Sequence, residues 1–213
     1  MSTNTTSVWR KKLKELEIVV VIPTYNNGKT LAAVIEEVCR YADDIIVVND
    51  GSTDDTANIL EQYPAIRTIT HPVNKGKGTA LKHGLSQAKK EGFRYAITID
   101  SDGQHFASDI PCFIEAIEKE PDTLLVGARN LASDNMPGKN TFANKFSNFW
   151  FRLETGLKLE DTQSGYRLYP LRKMDVQSCW YTAKYEFELE AIVFAAWGDV
   201  AVSYTHLTLP TNR

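Results

Sequence analysis

The sequence is short of cysteine, of long apolar runs and of excess charge, and each shortage removes a class of protein. Three cysteines, Cys39, Cys112 and Cys179, occur in 213 residues. An odd number without CxxC spacing builds neither a disulfide frame nor a zinc site, and reads as reduced, mostly buried thiols of a cytosolic protein. The longest apolar stretches, Ile18–Pro23 and Ala191–Trp197, fall far short of the roughly 18 residues that span a bilayer. No apolar signal core follows Met1, so nothing points to secretion. Four histidines without an HExxH pair argue against a zinc enzyme. With 24 basic and 27 acidic residues the net charge is −3, which exerts no global pull toward nucleic acid. What remains, 43% apolar and 24% charged, is an ordinary globular composition. The length suffices for one domain with a full core.

The chain divides into three stretches. Residues 1–16 are polar and then basic: Trp9, Leu13 and Leu16 fall at i, i+4 and i+7 among Arg10, Lys11, Lys12 and Lys14. Such a helix either lies on an anionic membrane surface or docks its apolar edge on the next domain. Residues 17–201 alternate β-branched runs with helical periodicity. Strands are expected at Ile18–Ile22, Asp44–Val48, Ile66–His71, Tyr95–Ile99 and Thr123–Ala128. Helices are expected around Leu31–Val38, Ser52–Tyr63, Gly76–Glu91 with Gly92 as its cap, and Ile110–Lys119. The strands lack hydrophobic alternation, as strands buried on both faces do. The expected fold class is therefore α/β, a mostly parallel central sheet flanked by helices. Residues 202–213 stand apart. SYTHLTLPTNR continues neither a helical nor a strand period, and Val202 through Thr211 can be encoded by codons that match a transposase adapter of sequencing libraries. The native part is thus expected to stop near Ala201, with the domain truncated there and an adapter-derived tail set aside from fold reasoning.

In a parallel sheet the ligand site lies at the carboxyl ends of the strands. After the first strand, Gly28-Lys29-Thr30 suggests a phosphate loop, but the glycine that motif needs five residues earlier is Pro23. Pro23 and Tyr25 can instead shape a flat slot for a base, or form an ordinary turn. After the second strand, Asp50 can accept the N–H of a uracil or guanine, or merely cap a helix. After the fourth, Asp100-Ser101-Asp102-Gly103-Gln104-His105 sets two carboxylates at i, i+2. Their charge needs neutralising, and a divalent cation that also bridges a diphosphate would do so with hard oxygen ligands. Asn74-Lys75-Gly76-Lys77-Gly78 precedes a helix, where backbone N–H groups and two lysines could face phosphates.

VVIPTYNN, VVNDGSTDDT, NKGKGTAL, DSDGQH, GARN and DTQSGYRLY occur in that order. Over about residues 17–200 the chain resembles inverting glycosyltransferases of family 2, most closely the polyprenyl-phosphate (dolichol-phosphate) mannosyltransferase branch. The resemblance implies a GT-A, Rossmann-like fold, a nucleotide-sugar donor (GDP- or UDP-linked), Mg²⁺ or Mn²⁺ at the DxD, and a polyprenyl phosphate acceptor met at the inner membrane surface. It places Pro23, Tyr25, Asn27, Val48 and Asp50 around the nucleotide, with Ser101 beside it. It assigns the metal to Asp100, Asp102 and Gln104, and the sugar-phosphate or acceptor phosphate to Arg129. The sequence departs from the pattern at Asn49 and Asn27, where relatives carry acidic residues. Asn140 and Asn144 stand near the lipid branch's Arg and Ser, with Lys139 as a substitute cation.

The resemblance also implies the chemistry. A metal offsets charge building on the leaving diphosphate. A lipid phosphate is already anionic and needs only steering cations: Arg129, Lys139 and Arg167. A saccharide hydroxyl would need a carboxylate base, for which Glu186, Glu188 and Glu190 are available if they are not simply a solvated face. A non-catalytic nucleotide-sugar-binding module is the further alternative.

Overall fold

The computed structural model describes residues 3–129, 164–174 and 186–207. Strand β1 (Ile18–Thr24) is buried at every position, and its neighbours explain why. Ile18, Val20 and Ile22 face one apolar layer with helices α1 (Thr3–Glu15), α2 (Leu31–Val38) and α5 (Ile110–Lys119). Val19 and Val21 face the other, with α4 (Lys77–Lys90) and α6 (Glu186–Trp197). Because successive strand residues point to opposite faces, two covered faces require an unbroken apolar run. β2 (Ile45–Asn49) follows the same rule. β3 (Arg67–Thr70), at the sheet edge, alternates half-buried and exposed residues.

The seven strands lie in the order β3-β2-β1-β4-β6-β5-β7, adding β4 (Tyr95–Thr98), β5 (Leu124–Arg129), β6 (Arg167–Pro170) and β7 (Val202–Leu207). All pairings are parallel except those of β6, which runs antiparallel to both β4 and β5. Each crossover supplies a helix to one face, as right-handed βαβ units require.

Three expectations change. The helix expected over Ser52–Tyr63 contracts to α3 (Thr56–Glu61). Its first residues are tied instead to the loop after β1: Thr53 N–H donates to Asn26 Oδ1 at 2.8 Å, and Asp54 Oδ2 accepts the Gly28 N–H at 2.8 Å. Asn49, standing where an acid was expected, accepts the Ser52 N–H at 3.0 Å and so forms the turn. The segment set aside from fold reasoning forms a strand in part. Val202–Leu207 pairs in register with Leu124–Arg129, and its β-branched and aromatic residues suit an edge strand. The two half-buried cysteines described, Cys39 and Cys112, are free thiols, less covered than expected.

Of the two readings of the N-terminal helix, docking is what the structure shows. Leu13 is buried, Trp9 and Leu16 pack on the core, and Lys12 reaches Glu118 of α5 at 2.6 Å. Arg10 donates to the Cys39 carbonyl and pairs with Asp43.

Close packing of α4 on the sheet depends on Gly84. A Cβ there would stand 2.5 Å from Val21 Cγ1 and 3.1 Å from Val48 Cγ2. Alanine gains up to about 1 kcal/mol of helix propensity, but overpacking against rigid β-branched neighbours costs about 1–3 kcal/mol. Gly84→Ala is expected to lower stability by about 1–2 kcal/mol. Urea unfolding would show this as an earlier midpoint with an unchanged slope.

Candidate active site

Apolar strands deliver polar residues only where they end. A cleft of about 580 Å³ opens at the carboxyl ends of β1, β2 and β4, where the strand order reverses from β1-β2 to β1-β4; ligands of open α/β sheets bind at such switch points. It is lined by Pro23, Thr24, Tyr25, Asn27, Asp50, Asn74, Gly76, Lys77, Ala80, Asp100, Ser101 and Asp102. The structure thus gathers Pro23, Tyr25, Asn27, Asp50, Asp100, Ser101 and Asp102 on one cavity. Asn27 Nδ2 donates to Ser101 Oγ at 2.8 Å and Thr30 Oγ1 to the Ser101 carbonyl at 2.6 Å, which joins the β1 and β4 loops. Tyr25 is 45% exposed at the rim. Thr24 Oγ1 is buried without a hydrogen-bond partner among the described residues.

Asp50 does two jobs. Its buried carboxylate accepts the Lys75 N–H at 2.9 Å on Oδ1 and the Gly76 N–H at 2.8 Å on Oδ2, so it shapes the loop before α4. Gly51, at φ 71°, makes this approach possible: a Cβ would come within 2.4 Å of the Val73 carbonyl carbon. Oδ1 also meets His71 Nδ1 at 2.6 Å, and His71 Nε2 meets His83 Nδ1 at 2.7 Å. An ionised carboxylate only accepts, so His71 carries its proton on Nδ1. Neither histidine was singled out by sequence, since they come from separate elements and form no spaced motif.

The acidic wall carries its own cation. Lys77 Nζ lies 2.8 Å from Asp100 Oδ1, 2.9 Å from Oδ2, and 2.8 Å from Glu188 Oε1. Burial would push its pKa down, but the two carboxylates outweigh burial and hold the ammonium above the ordinary lysine range. Of the two lysines flagged in 74–78, Lys77 enters the cleft and Lys75 contributes its backbone. Asp102 is exposed, and its Oδ1 accepts the Gln104 N–H at 2.9 Å. Gln104 therefore touches the DxD through its backbone rather than the expected side-chain oxygen. His105 packs its ring 5.2 Å from that of Tyr166.

The donor set fits a hard cation of a particular kind. Among the described residues no group of three or more His, Cys, Asp or Glu side chains could hold a metal alone. Two aspartates beside an open cleft suit an ion that takes its other ligands from water and phosphate oxygens, as Mg²⁺ does.

Other expectations are corrected. Val48 is fully buried in the core beneath α4 and does not line the cleft. Arg167 is also fully buried; its Nε donates to the Ser164 carbonyl at 2.7 Å and its Nη1 to the Glu188 carbonyl. It clamps β6 to α6 and cannot steer an incoming anion. Glu188 is buried and paired with Lys77, so the solvated-face reading of residues 186–190 fails there. Arg129 ends β5, but its side chain, with those of Lys139, Asn140, Asn144 and Glu186, lies outside the described residues.

An open, mostly parallel sheet with an acid-lined cleft at its switch point defines a nucleotide-binding type of α/β domain. Residues 19–176 match the model of glycosyl transferase family 2, and the chain belongs to that family. It is 32% identical over 199 residues to UDP-N-acetylglucosamine–dolichyl-phosphate N-acetylglucosaminyltransferase of Methanococcus voltae, covering 84% of this chain and 79% of that one. It is 28% identical to a dolichyl-phosphate β-glucosyltransferase of Trichomonas vaginalis, covering 70% of this chain and 52% of that one. Against polyprenol monophosphomannose synthase of Mycolicibacterium smegmatis it is 27% identical, covering 75% and 64%. Glucosyl-3-phosphoglycerate synthase from Mycobacterium tuberculosis, solved with Mn²⁺, UDP and phosphoglyceric acid, superposes with a TM-score of 0.73 at 21% identity, covering 98% of this chain and 74% of that one. The fold is GT-A.

Partial burial of the ring, then His71 and Lys75, lower the His83 pKa. A folded-state value below the unfolded one, about 6.5, means the unfolded chain takes up the proton first on acidification. This histidine's contribution to stability is therefore full above about pH 6.5 and is lost as the pH falls toward the folded-state pKa. NMR titration of the His83 ring is expected to show a midpoint below about 6.5; a midpoint at or above it would contradict the arrangement.

Proposed function

We propose that the chain is a metal-dependent, inverting hexosyltransferase that moves a sugar from a GDP- or UDP-linked donor to a polyprenyl phosphate. The observation that carries the reading is the convergence of Pro23, Tyr25, Asn27, Asp50, Asp100, Ser101 and Asp102 on one cleft. The printed activities of the dolichyl-phosphate and polyprenol relatives support the acceptor class, and the Mn²⁺ and Mg²⁺ in the glucosyl-3-phosphoglycerate synthase structures support the cofactor.

In this reading Pro23 and Tyr25 form the slot for the base. Asp50 Oδ2, with one backbone donor, accepts the N–H of uracil or guanine. Asp100 and Asp102 hold the divalent cation, with Gln104 orienting Asp102. When bound, that cation supplies Lewis-acid stabilisation of the leaving diphosphate. Lys77 adds a second positive charge on the same side. The acceptor's phosphate oxygen attacks the anomeric carbon from the opposite face, and the electrons of the breaking carbon–oxygen bond leave with the diphosphate. Arg129 and Lys139 provide cations for the acceptor phosphate.

Glu188 supports the phosphate acceptor over a saccharide hydroxyl. A hydroxyl nucleophile needs a free carboxylate base, and Glu188, one of the candidates in 186–190, is held by an ammonium at 2.8 Å. An anionic phosphate needs none. No helix among the described residues is long and apolar enough to cross a membrane. We place the chain peripherally at the cytoplasmic membrane face, because that is where a polyprenyl phosphate acceptor would be met. Residues 202–213 we continue to read as adapter-derived, which resequencing the gene across these codons decides.

Nucleotide release from a panel of GDP- and UDP-sugars with Mn²⁺ is expected to depend on added polyprenyl phosphate. Release that ignores the lipid and responds to a saccharide would overturn the acceptor. Asp102→Asn is expected to lose about 100-fold or more of metal-dependent turnover. As an exposed substitution it should shift stability by no more than about 0.5 kcal/mol. Undiminished turnover in that variant would remove the metal site from Asp102.

A further inference from the structure

Lys77 is the first residue of α4, a helix end where the macrodipole disfavours a cation. It is held there by two carboxylates from distant elements, Asp100 after β4 and Glu188 in α6. All three side chains are mostly covered, at 22%, 21% and 7% exposure. The chain closes over them with Gly165, where a Cβ would stand 2.5 Å from Asp100 Oδ2, 2.8 Å from Lys77 Nζ and 3.0 Å from Glu188 Oε1. Thr98 Oγ1 pins the Gly165 carbonyl at 2.8 Å, and Arg167 pins the Glu188 carbonyl. Backbone, hydroxyl and guanidinium thus combine to fix one ammonium between two acids.

The ammonium contacts both oxygens of Asp100, the same oxygens that would ligate a divalent cation. A divalent ion on the remaining lone pairs of those oxygens would stand close to the ammonium, and the repulsion between the two cations opposes its binding. We propose that Lys77 is a resident counter-ion that keeps Asp100 closed to divalent metal until a nucleoside diphosphate arrives. The diphosphate offers Lys77 a competing anion, Asp100 opens, and metal and nucleotide bind as a coupled pair. Glu188 is the tether that keeps the ammonium in the cleft once it has left Asp100. The inference rests on the metal reading of the DxD and adds to it an order of events and two positioning residues.

Binding of Mn²⁺, followed by the EPR signal of the free ion, tests this without turnover. Wild type is expected to bind Mn²⁺ weakly alone and more tightly with UDP or GDP. Lys77→Met is expected to bind Mn²⁺ alone about tenfold more tightly than wild type. The added nucleotide should then enhance binding by a correspondingly smaller factor. In an Asp100→Asn background the Lys77→Met gain should vanish, which separates an opened ligand from a merely altered field. If Lys77→Met folds poorly with two acids left unpaired, Lys77→Met/Glu188→Gln removes one acid with the ammonium and carries the same expectation. Unchanged or weaker binding of Mn²⁺ alone to Lys77→Met, or a gain that survives Asp100→Asn, overturns the counter-ion role while leaving the metal reading standing. No Mn²⁺ binding by wild type with either nucleotide overturns both.

Discussion

A strand covered on both faces can carry no polar side chain until it ends, and β1 imposes that constraint on the whole molecule. Its alternate residues feed two apolar layers, so its neighbours β2 and β4 must be apolar as well. Every group able to do chemistry is displaced to the carboxyl edge, where three loops arrive within reach of one another. Hydrogen bonds from Asn27 and Thr30 to Ser101, and from the 75–76 backbone to Asp50, then turn three loop ends into one cavity.

Collecting acids in a cleft brings an electrostatic difficulty that the chain meets in two ways. Asp50 is satisfied by backbone N–H groups and the His71 ring, donors that fix it for recognition. Asp100 and Glu188 share one ammonium, which leaves the group with residual negative charge. Removing one partner of such a buried set generally costs several kcal/mol, so the three residues stand or fall together. The difference matters for ligands. Asp50 is held by two backbone N–H groups and a buried histidine, whereas Asp100 is held by the ammonium of a long lysine side chain.

Much of this was legible in the sequence, for physical reasons. Unbroken β-branched runs announce doubly buried strands, and residues after such strands must be polar, so the DxD and the loops after β1 and β2 could be located. Legibility ended where a side chain's partner comes from far along the chain. Glu188 reads locally as one acid of an alternating series, and only the fold sets it beside Lys77. Arg167 has the charge of an anion steerer and is instead a buried clamp. Val48 sits beside the right loop but is buried beneath α4. His71 and His83 meet Asp50 without any shared motif. The edge strand β7 has residues that suit a strand but no clean alternation to announce one, and its partner β5 lies far along the chain.

The position of β6 also governs how the sheet can be assembled. β4 and β5 are separated by β6, which pairs with both. Residues 124–129 therefore leave the ribosome with no sheet partner until residues 167–170 have followed. The four strands from β1 to β4 can close locally as they are made, but the far half must wait for a strand that inserts in the reverse direction. Long-range pairing of this kind slows folding and prolongs exposure of apolar surface. The same insertion delivers Gly165 and the Arg167 clamp, so the lysine-centred end of the cleft is among the last parts of the molecule to acquire its shape.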